Sequence, residues 1–481
     1  MSPTARWMGA VLIAGASLMG FLAWFSVWTT PHLNADQAIH ILMAERFDVA
    51  RDAYYWGQDR LGSLLPALGA VLVALGVPSL DALAWVQLGV LLASGLVWLR
   101  LLRNPLLGAL GFAAMLLPVF PFHESVAIGH PYLTQQFFGL LWLSILDRGA
   151  GTQGGALRAL GLPLLGLAAL WASELSLPFL VASAWYYRRS LVDLVRSHPW
   201  ASLVGSLVGG TALTAAKLGA PKQRGFGTLL ADPSDLVKSI SIQWSEWSTT
   251  LLFEGNKPFN GLYWWTALVV VGLVVGTGLR QQLKPSRRTA SLAVGAAATW
   301  LLVHASGWSA ANGFPLRYFA AAFGLAVFAL GSYASDLGWG IRRSHWFAAF
   351  GLVALQGWAA WSFSAHFSTG AKGRIDRAQA EALAVALTSE RQPAAVMGSY
   401  WNAYLVDGLS GKVVGLPFDG EHCRNRRYEG AVLNADSVAF IGNGWLDVLP
   451  DSLHQYGRVW NAVGGAVEVN GVRYRWYRKG D

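Results

Sequence analysis

Charge is what this sequence is short of. Only 13% of its 481 residues are Asp, Glu, Lys or Arg, where a soluble globular chain carries roughly 25%. Beside that deficit 54% of the residues are hydrophobic, so a bilayer, not water, is the solvent that fits. Cysteine is nearly absent too: Cys423 stands alone, which excludes an intrachain disulfide and a cysteine-rich metal site. No glycine-rich loop suited to cradling phosphates is present, so no nucleotide cofactor is expected. No small-residue cleavage site follows the first apolar run, which begins after Arg6 and is expected to remain as an anchor. Internal repeats are not recognisable.

What the chain does have is aromatic and apolar. Its 24 Trp suit the headgroup layer, where indole rings settle. The formal charge of +9 lies in short basic clusters between apolar runs, the habit of membrane proteins, and a nucleic-acid partner is not expected. A spanning helix needs about 20 apolar residues. Runs near 7–28, 84–102, 105–121, 132–147, 156–173, 174–187, 199–216, 261–279, 290–306, 317–333 and 346–363 qualify, giving eleven spans, with 156–187 as a tight hairpin. The apolar stretch Leu61–Val77 is the odd one. If it does not cross, the clusters at Arg100/Arg103, Arg148/Arg158, Arg188/Arg189 and Arg287/Arg288 all share the side of Arg6, as positive-inside asymmetry requires. It is therefore read as a juxtamembrane helix that lies along the outer interface or re-enters it. The expected topology is a plasma (inner) membrane protein with a cytoplasmic N-terminus and a periplasmic or extracellular C-terminus.

That topology leaves the chemistry outside. In the first outer segment Ile39, Leu42, Met43 and Phe47 recur at helical spacing, predicting a surface-lying amphipathic helix, with Asp36 just ahead of it. Asp36 reads either as a helix cap or as a general base or metal ligand. Farther on, Tyr55, Trp56, Gln58 and Asp59 either stack on a sugar and bond its hydroxyls or anchor the chain at the interface. The second outer loop brings His123 and Glu124 together. It is no HExxH motif, because Ala127 holds the second histidine's place; a divalent-metal site and plain exposed side chains both stay open. Glu174 lies in the turn of the apolar hairpin, either solvated or as a further site carboxylate. Arg317 and Tyr318 open a late span, where a guanidinium suits a phosphate and equally suits lipid headgroups.

In their order, these pieces resemble the GT-C superfamily of membrane glycosyltransferases, most nearly bacterial relatives of protein O-mannosyltransferases and aminoarabinose transferases. Asp36-Gln37-Ala38 stands where many such relatives have Asp-Glu-Ala. The run from Tyr55 through Gly57-Gln58 to Gly62-Ser63-Leu64 is similar to their aromatic-Gly-Gln stretch, and Arg317-Tyr318-Phe319 to their Arg-Tyr-Leu element. Ser399-Tyr400-Trp401-Asn402-Ala403-Tyr404 resembles part of their post-membrane domain. The resemblance implies transfer of a sugar from a polyprenyl-phosphate donor, with Asp36 as the catalytic acidic residue and Arg317 as a phosphate contact. The acceptor is a glycan, a lipid or a protein. Gln37 replaces the frequent second acid, which leaves Glu124 as a substitute metal ligand.

The expected fold is thus a polytopic α-helical, GT-C-like domain over residues 1–364 and a small exported α/β domain over 365–481. In the latter, 375–389 reads as a helix and 394–397, 412–416, 437–441 and 466–469 as strands. Asn470-Gly471 signals a hairpin with a type I′ turn. Two other functions stand beside glycosyl transfer. A transporter is disfavoured because the spans are almost free of charge; a non-catalytic scaffold for envelope glycan assembly shares every feature above.

Overall fold

The computed structural model describes residues 3–20, 27–28, 33–117, 131–148, 154–220, 230–252, 258–338, ten positions between 347 and 362, 373–392, 394–421, 423–446 and 448–480. The chain divides into two compact units. One comprises Met1–Ser26, Arg60–Gly62 and Gln87–His366; the other comprises Val27–Asp59, Ser63–Val86 and Phe367–Asp481.

The first unit is a bundle of apolar helices, and it makes this a multi-pass membrane protein. Among the described residues five helices are long and apolar enough to cross a bilayer by length and composition: Ser79–Leu101, Gly155–Ala172, Pro199–Gly219, Asn260–Arg280 and Leu316–Asp336. Other helices, among them Pro3–Gly20, Pro105–Leu116, Pro131–Asp147 and Arg287–Ala305, stand at other expected spans. The expected hairpin over 156–187 differs from what forms. Its second arm is the ten-residue helix Leu177–Tyr186, which rises only about 15 Å against a hydrocarbon core of about 30 Å. Several helices open on proline (Pro105, Pro199, Pro233), which costs nothing where first-turn N–H groups have no helical acceptor.

Close packing in this unit runs through small residues. Along Pro199–Gly219 only Gly205 and Gly209 are buried. A Cβ on Gly205 would sit 2.3 Å from the Leu160 carbonyl oxygen, so this i, i+4 glycine pair seats the helix on Gly155–Ala172 while its other faces stay apolar and exposed, as lipid requires. Trp98, Phe112 and Phe328 form an aromatic centre, with Trp98 and Phe328 centroids 4.6 Å apart. The buried Arg288 is held by Asp147 at 3.3 Å, Asp336 at 3.5 Å and the Ser332 hydroxyl at 3.0 Å, so its charge is paired from two helices.

The second unit is α/β. Its strands are β1 Ala394–Gly398, β2 Val413–Pro417, β3 Ser437–Ile441, β4 Ser452–Gln455, β5 Arg458–Val469 and β6 Val472–Lys479, in the order β2-β1-β3-β6-β5-β4. β1 pairs in parallel with β2 and β3; the remaining pairs are antiparallel. Asn470 and Gly471 both have positive φ between Val469 and Val472, the type I′ geometry their sequence announces. β4 and the first half of β5 are not legible as apolar runs, because β4 is a four-residue edge strand with two exposed side chains. Phe440 centres the core, edge-on to Trp460 and Tyr477.

Two segments from the N-terminal third belong to this unit. The helix Ala35–Glu45 buries ten of its eleven residues, so it is a core helix and not a surface-lying amphipathic one. Leu64–Ala74 packs beside it, with Ala44 against Gly69. At eleven residues it rises about 16 Å, against a hydrocarbon core of about 30 Å.

Opposite lies the helix Tyr400–Ser410, which links β1 to β2. Gly408 is required there: its Cβ would meet three atoms of Ala38 at 2.9–3.1 Å. One residue earlier, the fully buried Asp407 accepts from Arg46 at 3.2 Å and from the Gly415 N–H at 2.9 Å. Burial pushes the Asp407 carboxyl up to about 7 against the opposing pull of Arg46. A folded-state value above the unfolded one of roughly 3.9 means stability is greatest below about pH 4 and falls until the carboxyl ionises in the fold. Relative to an Asp407→Asn variant, the wild type should therefore lose roughly 1 kcal/mol per pH unit between about pH 4 and pH 7, then level off. Unfolding midpoints across that range check this; a flat or rising difference would refute it.

Candidate active site

Asp36 is the second residue of Ala35–Glu45, and it does not cap that helix. The cap is Asn34, whose side chain accepts from the Gln37 N–H at 3.1 Å while the Gln37 side chain accepts from the Asn34 N–H at 2.9 Å. That reciprocal capping box leaves the Asp36 carboxylate available for other contacts, within the first turn where the helix dipole favours negative charge. Asp36 is 8% exposed.

Its partners come from far along the chain. The Tyr400 hydroxyl donates to Asp36 Oδ1 at 2.8 Å, and the Tyr55 hydroxyl donates to the Asp36 carbonyl at 3.2 Å. Tyr400 in turn accepts from Arg424 Nε at 3.2 Å. Burial, reinforced by the Asp36 charge, pushes both phenols well above their ordinary range, so each remains a donor at any physiological pH. The result is a relay from guanidinium to phenol to carboxylate. One turn beyond Asp36, the His40 ring lies 4.8 Å from that of Tyr55.

The scaffold fixes Tyr400 firmly. It opens the helix Tyr400–Ser410 behind the cap Ser399, and its N–H donates to the Glu421 carboxylate. Asn402, fully buried, accepts from the Ile375 N–H at 3.1 Å and donates to the Asn443 carbonyl at 2.7 Å, tying the helix start to two loops. Arg424 is set by its own N–H, which donates to the Tyr404 hydroxyl at 2.8 Å, and by Gly57. A Cβ on Gly57 would lie 3.2–3.4 Å from Arg424, and its φ of +70° suits glycine, so the Tyr55–Gln58 turn lies directly on the arginine.

Trp56 is buried, edge-on to Tyr428 at 5.3 Å, with its Nε1 donating to Asp52 at 3.0 Å. Gln58 is buried beside it, and Asp59 is partly buried at the end of the turn. Arg317 and Tyr318 belong to the first unit, in the 3-10 turn Leu316–Phe319, where the guanidinium carbon lies 5.7 Å from the Tyr318 ring. In that unit Arg60 stacks over Trp308 at 3.3 Å, and Glu174 pairs with Lys217 at 2.6 Å, so Glu174 is a paired turn residue. His123 and Glu124 lie outside the described residues, and the metal expectation for them rests on sequence alone. Among the described residues no three His, Cys, Asp or Glu side chains come together as a metal site would need. Sequence reasoning missed Arg424. It stands in the run Arg424-Asn425-Arg426-Arg427, which reads as a solvated basic patch; Arg426 and Arg427 are indeed exposed, while Arg424 turns inward.

No family model and no curated protein matches the chain. Among solved structures it is similar to the archaeal oligosaccharyltransferase AglB from Archaeoglobus fulgidus, in complex with an inhibitory peptide and a dolichol-phosphate. That match has 11% identity over 91% of this chain and 70% of AglB, with a TM-score of 0.48. It is also similar to ArnT from Cupriavidus metallidurans in the apo state, with 13% identity over 92% of this chain and 93% of ArnT and a TM-score of 0.42. ArnT bound to undecaprenyl phosphate matches at 12% identity over 90% and 92%, again with a TM-score of 0.42.

Because Tyr400 both donates to Asp36 and accepts from Arg424, its hydroxyl has no apolar substitute. Tyr400→Phe should lower the unfolding free energy by about 2 kcal/mol, the cost of leaving buried polar groups unmet. Equilibrium unfolding in detergent checks it, and a change under about 0.5 kcal/mol would mean that the relay is not formed.

Proposed function

We propose that this chain is a membrane glycosyltransferase that moves a sugar from a polyprenyl-phosphate carrier to an acceptor at the outer face of the plasma (inner) membrane. The observation that carries the reading is Asp36. It is a nearly buried carboxylate at a helix N-terminus, oriented by a phenol that stays protonated, beside a partly buried arginine. Such a group has no evident task in holding the helix, since Asn34 and Gln37 already cap it. The order of motifs along the chain supports the same reaction class.

The chemistry follows from those parts. Polyprenyl phosphate is its own leaving group, so a lipid-linked sugar needs no nucleotide. An acceptor hydroxyl or amine attacks the anomeric carbon and gives its proton to Asp36. As that bond forms, the bond from the anomeric carbon to the phosphate oxygen breaks, and its electron pair leaves with the phosphate. The relay from Arg424 through Tyr400 holds the accepting carboxylate in one rotamer, because its Oδ1 is committed to the phenol. A cation beside the departing phosphate lowers the cost of its growing charge; Arg317 is the residue the sequence motif offers for that part.

Purified protein in lipid nanodiscs, offered a panel of polyprenyl-phosphate sugars with and without a divalent cation, tests the reading. Asp36→Asn should lower turnover at least about 100-fold, the contribution of a general base, while the variant still folds. Full activity in that variant would remove Asp36 from the chemistry. Absence of turnover with every donor in the wild type would favour a scaffold.

A further inference from the structure

Several arginines in the second unit are matched to acids. Arg46 meets Asp407 at 3.2 Å, Arg377 meets Glu381 at 2.8 Å, and Arg427 meets Asp48 at 3.1 Å. Arg424 makes no ion pair among the described residues. Its Nε donates to a neutral phenol, and its Nη1 is buried with no hydrogen-bond partner among the described residues. A guanidinium does not shed its charge, so a buried N–H of this kind carries the full cost of desolvation until an acceptor arrives. Three fixed neighbours prevent the side chain from swinging out to water: the Gly57 backbone, the Tyr400 ring 5.5 Å from the guanidinium carbon, and the Tyr404 hydroxyl on its main chain. The protein thus holds a pre-organised cation, joined through one phenol to the carboxylate that serves as base.

We infer that Arg424 binds the phosphate of the lipid-linked donor, a contact made by the C-terminal segment of the chain. This rests on the glycosyl-transfer reading and adds to it a cation other than the one the sequence motif offers. An anionic oxygen is the acceptor that answers both a missing charge and a missing hydrogen bond, and phosphate presents oxygens at the spacing of the guanidinium fork. The position also suits the reaction. The phosphate takes the electron pair of the broken bond while Asp36 takes a proton, so the cation and the base serve opposite ends of one displacement. Tyr400 couples the two, since it accepts from Arg424 and donates to Asp36.

The test is binding to the full chain in phosphatidylcholine nanodiscs, with undecaprenyl phosphate as probe and undecaprenol and inorganic phosphate as comparisons. The wild type should prefer undecaprenyl phosphate to undecaprenol by about tenfold or more, and Arg424→Gln should lose about tenfold in affinity for the phosphate with the alcohol unchanged. Arg424→Lys, which keeps a point charge and loses the fork, should fall between them. If the wild type discriminates and Arg424→Gln does so equally, Arg424 is not the contact and the carrier reading stands without it. If the wild type binds phosphate and alcohol alike, the carrier reading itself fails and takes the inference with it. Inorganic phosphate bound as tightly as the lipid would overturn the inference in favour of a free-anion site. Should the Gln variant not fold, the Lys variant decides: a loss of about threefold or more supports the contact, and unchanged affinity overturns it.

Discussion

The close approach of Gly408 to Ala38 is the contact on which the candidate site depends. With no Cβ at Gly408, two helices from opposite ends of the sequence lie almost backbone to backbone. That proximity places Asp407 within reach of Arg46 at one end of the contact and Tyr400 within reach of Asp36 at the other. A side chain at Gly408 would push the helices apart, and both hydrogen bonds would be lost together. The buried ion pair and the relay are therefore two readouts of one packing decision.

The electrostatics of the unit follow from burial more than from net charge. Asp407 is raised because it is dry, even with a guanidinium beside it. The phenols of Tyr55 and Tyr400 are raised for the same reason, and the Asp36 charge adds to the effect. Their protonated state gives the relay its direction: guanidinium to phenol, phenol to carboxylate. In the first unit charge is handled differently. Arg288 is neutralised by two carboxylates from neighbouring helices, and the apolar faces around it meet lipid.

Much of the architecture is legible from one dimension. Runs of about 20 apolar residues mark the long helices, because bilayer thickness acts on local sequence. The hairpin at Asn470-Gly471 is readable since its turn requires two positive φ values in succession. The helix behind Asp36 is legible as a helix, but its burial is not. Ile39, Leu42 and Met43 suggest one apolar face, while Gln37 and His40 on the other sides are buried as well.

The candidate site divides along the same line. Asp36 and the Tyr55–Gln58 turn stand out in the sequence because a carboxylate and an aromatic-Gly-Gln run occur at motif spacing. Nothing local distinguishes Arg424 from Arg426 and Arg427, or shows that Tyr400 reaches back 364 positions to Asp36. Nor does local sequence decide which residue caps the helix, since Asn34 and Asp36 are both good caps and only the fold commits Asn34 to Gln37. Sequence alone determined what periodicity, composition and charge dictate: a membrane bundle, an α/β tail and an acid of interest. Tertiary structure decided the partners of that acid, because hydrogen bonds between distant residues depend on which backbones can approach, and that was set by one missing side chain at Gly408.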